Sequence, residues 1–205
     1  MRTQLIAASL FGALIVATPA TIAQMPGAAD PARVTAGSYK VDPAHTQVTW
    51  KVNHLGFSML SGQFGASDGM LMIDPKNPGA GKVDITFDMT KLSTTSEQFG
   101  THLRSKDFFD VATNPTAHFV STSVQMGANN SATIAGNLTI KGVTKPVTLN
   151  AMLVGAGNNP MNKQLNVGFH ATAQVKRTDF GLGMAAPMVS DTVDLDINAA
   201  FTKAA

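Results

Sequence analysis

The chain has no cysteine, one glutamate, one tryptophan and one tyrosine, and only 14% of its 205 residues are charged. Each scarcity excludes something. Without cysteine there is no disulfide framework, no thiolate nucleophile and no cysteine-ligated metal, so an exported chain must be held by its core. With 15 basic against 13 acidic side chains and no run of Lys and Arg, there is no electrostatic footprint for nucleic acid and no basic patch for a membrane surface. One Trp and one Tyr cannot build the aromatic girdles of an integral outer-membrane barrel. No apolar run is long enough to cross a bilayer as a helix.

What is present begins with an export signal. Arg2 precedes the apolar run Leu5 to Val16, and Thr21-Ile22-Ala23 offers small residues for cleavage, with Ala20 as a second site. Residues 1–23 read as a signal peptide, which places the mature protein in the periplasm. Residues 24–37, rich in Ala, Pro and Gly, read as a flexible leader. Residues 38–205 form the folded domain. Without Arg2, 14 basic side chains face 13 acidic ones.

The main signal is alternation. Val83, Ile85, Phe87 and Met89 fall on one side of a strand, and Asp84, Thr86 and Asp88 on the other. The pattern recurs at Val48, Trp50 and Val52, from Leu165 to Val175, and from Val193 to Phe201. Strands are expected at 39–42, 48–52, 61–73, 81–89, 116–126, 131–140, 146–154, 164–176 and 191–202. Gly62, Gly65 and Gly69 predict bends or bulges in the third. One short helix is expected near residues 95–106: Thr94 and Glu97 have capping-box spacing, and Phe99 and Leu103 share a face. Short connections favour antiparallel neighbours.

About eight amphipathic antiparallel strands close into a barrel or stack as a sandwich. Small residues on the inward face (Gly136, Ala151, Ala171, Ala173, Ala199) leave volume. Large ones opposite (Trp50, Phe64, Phe87, Phe119) would fill it, and periodicity alone leaves a hollow and a packed interior both open.

Five segments in order carry a resemblance. They are Tyr39 to Thr46; Val52 to Ser58 with Gly62-Gln63-Phe64; Leu103 to Asp110 with Asn114-Pro115-Thr116; Gly136 to Val147; and Arg177 to Gly181. Together they resemble the YceI family over nearly the whole mature domain. The resemblance implies an all-β fold, an eight-stranded antiparallel lipocalin-like barrel with a helical segment. It also implies a long polyisoprenoid ligand, such as a quinone or prenyl pyrophosphate, inside the barrel.

The expected lining is Trp50, Val52, Phe64, Phe87, Phe119, Leu138, Leu149, Phe169 and Ile197, with Phe57, Phe99, Leu103 and Phe108 covering an entrance. Ordinary core packing is the plain alternative for each. His54 and Arg177 are head-group candidates, since both donate hydrogen bonds. Against this, His54 is commonly structural, and Arg177 is placed to pair with Asp179. His118 and His170 alternate outward. No cysteine nucleophile and no His-x-x-x-His pair occurs, which argues against an enzyme. No cofactor is required beyond a bound isoprenoid lipid or quinone. The expected function is a periplasmic carrier or store of that lipid, in transient contact with a membrane or a membrane cytochrome. The rivals are a quinone-linked electron-transfer accessory or enzyme, and a structural or stress protein with a filled core.

Overall fold

The computed structural model describes residues 25–204. The signal peptide expected over residues 1–23 lies outside them. Nine strands, β1 (Gly37–Val41), β2 (Gln47–His54), β3 (Ser58–Ile73), β4 (Lys82–Ser93), β5 (Thr116–Met126), β6 (Ser131–Ile140), β7 (Val143–Asn158), β8 (Leu165–Lys176) and β9 (Thr192–Lys203), surround one helix-bearing connection, α1 (Glu97–Arg104).

Nine segments make eight staves. β1 pairs with the end of β3, from Gly37 opposite Ile73 to Lys40 opposite Met70, and β2 pairs with its beginning, from Trp50 opposite Gly62 to His54 opposite Ser58. Both also pair with β9. The two are therefore one stave broken at residues 42–46, where Pro43 cannot donate to a ladder. Thr46 mends the break: its buried hydroxyl donates to the Ala200 carbonyl at 3.1 Å and accepts from the Ala200 N–H at 3.0 Å. Every pairing is antiparallel, and the pairings of β9 with β1 and β2 close the sheet. Closure removes both edges and creates an inside.

The alternation reads directly onto the barrel. Ile85, Phe87 and Met89 are buried, as are Val48, Trp50 and Val52, while Asp84 and Lys51 are exposed. One bulge sits in β3 between Ala66 and Asp68, in the stretch bounded by Gly65 and Gly69, where two residue steps face the single step from Phe87 to Thr86. β4 continues past the expected end at Met89, because no turn residue stops it and Leu92 remains to be buried. The cost is a register break against β3, from Gly65–Asp88 to Gln63–Ser93. β7 similarly extends beyond 146–154 at both ends.

The helix starts two residues later than the capping-box spacing suggests. Ser96 is the N-cap and accepts from the Phe99 N–H, whereas Thr94 donates to the Ser96 carbonyl. Glu97 is thereby free to bond Arg104 at 2.6 Å, and Arg104 also donates to the Leu92 carbonyl at 2.7 Å, tying the helix to β4. Its inner face buries Leu103 and sets Phe99 edge-on to Trp50 at 6.4 Å.

Residues 25–36, expected as a flexible leader, pack on the barrel. Ala28 bridges Ala156, Asn130 donates to the Ala29 carbonyl, and Arg33 donates to the Pro26 carbonyl. The close seat exists because Gly155 and Gly157 leave no side chain in the way.

Candidate functional site

Antiparallel order sorts the connections to two ends. The turn 55–57, the α1 connection 94–115, the turn Lys141-Gly142 and the loop 177–191 gather at one end; the connections 74–81, 127–130 and 159–164 lie at the other with residues 25–36. The helix-bearing end is the elaborate one.

Inside the barrel is a cavity of about 480 Å³. This lies within the range of ordinary ligand sites. Its wall comes from every stave, and among its lining residues only His54, His102 and Arg177 have side chains that ionise. Across one part of the wall, Ala151 on β7 opposes Ala171 on β8, which opposes Ile197 on β9. The two alanine side chains leave space open there. On the facing wall Phe64 and Phe87 pack edge to face at 5.5 Å. Trp50 lies flat against its neighbour because residue 62 is glycine; a Cβ there would overlap the indole and approach the Ser93 carbonyl. The Trp50 indole N–H is buried without a partner among the described residues.

Trp50, Val52, Phe64, Phe87, Phe99, Leu103, Phe108, Phe119, Leu138, Leu149, Phe169 and Ile197 all border the cavity, as do His54 and Arg177. Phe57 does not. It sits at the tip of the β2–β3 turn, where Leu55 and Gly56 both take positive φ, and its ring is 89% exposed to solvent. The turn directs it away from the barrel axis, so it covers nothing.

The two polar candidates separate on their hydrogen bonds. Arg177 is buried and donates from Nε to the Ser190 carbonyl, from Nη1 to those of Leu182 and Met184, and from Nη2 to that of Val189. Burial pulls its pKa down and the Asp191 carboxylate opposes the shift. It is not paired with Asp179. Its donors are engaged in shaping the β8–β9 loop, which leaves little for a ligand. The His54 imidazole borders the cavity and has no such set of bonds among the described residues. His118 and His170 point outward to Asp84 and Asp196, at 2.6 and 3.1 Å. Among the described residues no three His, Asp or Glu side chains are grouped to hold a metal.

Phe180, Leu182, Met184, Ala185 and Val189 also border the cavity. The sequence reading passed over them because the segment has no period. The available signal was the absence of charge from Phe180 to Ser190. His102, ring-to-edge with Phe108 at 4.9 Å, adds a polar group beside them.

A YceI-like domain matches residues 39–201. The chain belongs to this family. It is 43% identical to a UPF0312 protein of Pseudomonas paraeruginosa over 162 residues, 78% of this chain and 84% of that one. The solved structure of BcnA from Burkholderia cenocepacia superposes with a TM-score of 0.68 at 24% identity, covering 78% of this chain and 98% of BcnA. A polyisoprenoid binding domain from Saccharophagus degradans, implicated in plant cell wall breakdown, superposes at 0.59 with 13% identity, covering 81% and 98%. At these identities the two structures speak for the YceI barrel and not for a ligand. The residues that carry the family likeness here mostly hold loops. Asn53 caps the β2–β3 turn through the Gly56 N–H, Lys141-Gly142 forms a two-residue hairpin with both φ positive, and Arg177 clamps the loop after β8.

Proposed function

We propose that this YceI-like protein is a periplasmic binding protein that holds a long isoprenoid or similar lipid in its barrel, for transport, storage or sequestration. The observation that carries the reading is the interior cavity of about 480 Å³ with an almost wholly apolar wall. Such a wall has nothing to offer a sugar, a nucleotide or a peptide backbone, each of which needs its polar groups paired. It suits a hydrocarbon chain, whose burial is worth about 0.8 kcal/mol per methylene. Ordering costs absorb much of that sum, so it predicts firm retention with loose selectivity for chain length.

The apolar wall suits an isoprenoid and a straight acyl chain alike; the isoprenoid is proposed because the barrel shares its fold with a polyisoprenoid binding domain. His54 is the better head-group partner, for a quinone carbonyl or a phosphate oxygen, because Arg177 is already engaged. Residues 1–23 would deliver the protein to the periplasm, where it would meet its cargo at a membrane or a membrane cytochrome. The role is one of binding, with the lipid as cargo and no further cofactor.

Solvent extraction of natively purified mature protein, followed by mass spectrometry, tests this. A near-stoichiometric long-chain lipid is expected. Folded protein that yields none, and takes up none when incubated with isoprenoid quinone, would refute it.

A further inference from the structure

The loading surface can be located on the same barrel, given the reading of the cavity as a lipid site. Among the residues bordering the cavity, His102, Met184 and Ala185 are also exposed to solvent. They mark the mouth, between α1 and the β8–β9 loop. Beside it the β2–β3 turn is laced to that loop. The Leu55 N–H donates to the Met188 carbonyl at 3.0 Å, the Ser190 N–H donates to the Asn53 carbonyl at 2.9 Å, and His54 bridges Val189. The two segments therefore present one surface.

That surface is apolar and uncharged. Phe57 is 89% exposed, Met188 65%, and Leu55, Met59 and Met184 are exposed as well. No Asp, Glu, Lys or Arg occurs from Val52 to Ser67 or from Phe180 to Ser190. Met184 joins the outside to the inside, being both exposed and part of the cavity wall. An apolar path thus runs from the tip of the turn into the barrel.

We propose that the β2–β3 turn and the β8–β9 loop form a face that seats on a lipid bilayer and opens the cavity to it. The missing charge matches the uncharged boundary between glycerol and acyl chains, into which exposed Phe, Leu and Met side chains insert. A protein partner would call for the Arg, Tyr and Trp anchors of a protein interface, and none occurs from Val52 to Ser67 or from Phe180 to Ser190. Cargo that lives in a bilayer would then pass through the mouth without crossing water.

The test is co-sedimentation of mature protein with dioleoylphosphatidylcholine vesicles, together with transfer of a pyrene-labelled isoprenoid alcohol between vesicles. Phe57→Ser combined with Met188→Ser should lower vesicle partitioning and transfer rate at least tenfold. Met161→Ser, a change at an 88% exposed methionine at the opposite end, should alter neither. Binding should be insensitive to salt. Extracted lipid should stay at wild-type level in the double variant, since neither side chain borders the cavity. Equal binding by all three proteins, binding that requires anionic lipid and fades with salt, or capture of a protein partner by this face in place of vesicles would each overturn the proposal. Loss of lipid from the wild-type protein would instead refute the cavity reading beneath it.

Discussion

Replacing Ala171 with leucine separates a hollow barrel from a packed one by the sign of a single number. Ala171 is buried between Ala151 and Ile197 on the inner wall, and all three border the cavity. Leucine adds three carbons. In an empty cavity those carbons leave water without displacing protein, for a gain of up to about 2.4 kcal/mol at 0.8 kcal/mol per carbon. In a packed core the same change forces neighbours off their rotamers and costs about 1–3 kcal/mol. The assay is urea unfolding of delipidated protein. With a slope of roughly 2 kcal/mol per M, the hollow case raises the midpoint by about 1 M. Lipid retention should move the other way. Three carbons of ligand lose their place, which weakens binding by roughly fifty-fold if the wall is rigid. A midpoint that falls, with lipid yield unchanged, would refute the reasoning from cavity to function.

Arg177→Met leaves the carbonyls of Leu182, Met184, Val189 and Ser190 without their donor. At about 1 kcal/mol or a little more each, the loss is about 3–5 kcal/mol, seen as a melting temperature lower by roughly 6–20 °C. Arg177→Lys should recover less than half of it, since an ammonium cannot reach four carbonyls in a fan. Acid should loosen the same loop. The backbone N–H and side chain of Thr178 hold the Asp191 carboxyl below the usual carboxylate range, with Arg177 and Lys176 adding to this and burial opposing. Asp88 is lowered too, first by Thr90. A carboxyl with a lowered folded pKa stabilises fully above its unfolded value and loses that contribution as pH falls through the folded one. Unfolding midpoints should therefore drop below about pH 4, and Asp191→Asn should show a shallower acid slope than wild type. Gly62→Ala should cost about 1–3 kcal/mol in urea unfolding, because its Cβ meets the Trp50 indole and the Ser93 carbonyl.

The strands were legible because each has one dry face, and alternation is a local property. Phe87 and Phe169 could be aimed inward from their neighbours alone. The bulge of β3 at Ala66–Asp68 was legible for a similar reason, since Gly65 and Gly69 flank the place where the ladder is disturbed. The helix was legible but its cap was not. Thr94, Thr95 and Ser96 all offer a hydroxyl, and the anchoring of Arg104 on Leu92 selects Ser96. Phe57 was misjudged because its aim depends on the positive φ values of Leu55 and Gly56, which no hydropathy pattern records. Phe180, Leu182, Met184 and Val189 were missed because a loop has no period, and only Arg177's carbonyl fan turns those side chains toward the barrel.

By itself the sequence determined that this chain is built of amphipathic antiparallel strands, that no disulfide holds them, and that one side of each must escape water. Pairwise side-chain order along a strand carries that much. Whether the dry side encloses a void depends on which residues meet across the barrel: Ala151 beside Ala171 beside Ile197, with Phe64 and Phe87 on another part of the wall. That meeting is made by strand register and by closure through β9. Volume is a property of the whole ring of staves and not of any one, and so only the tertiary structure decided it.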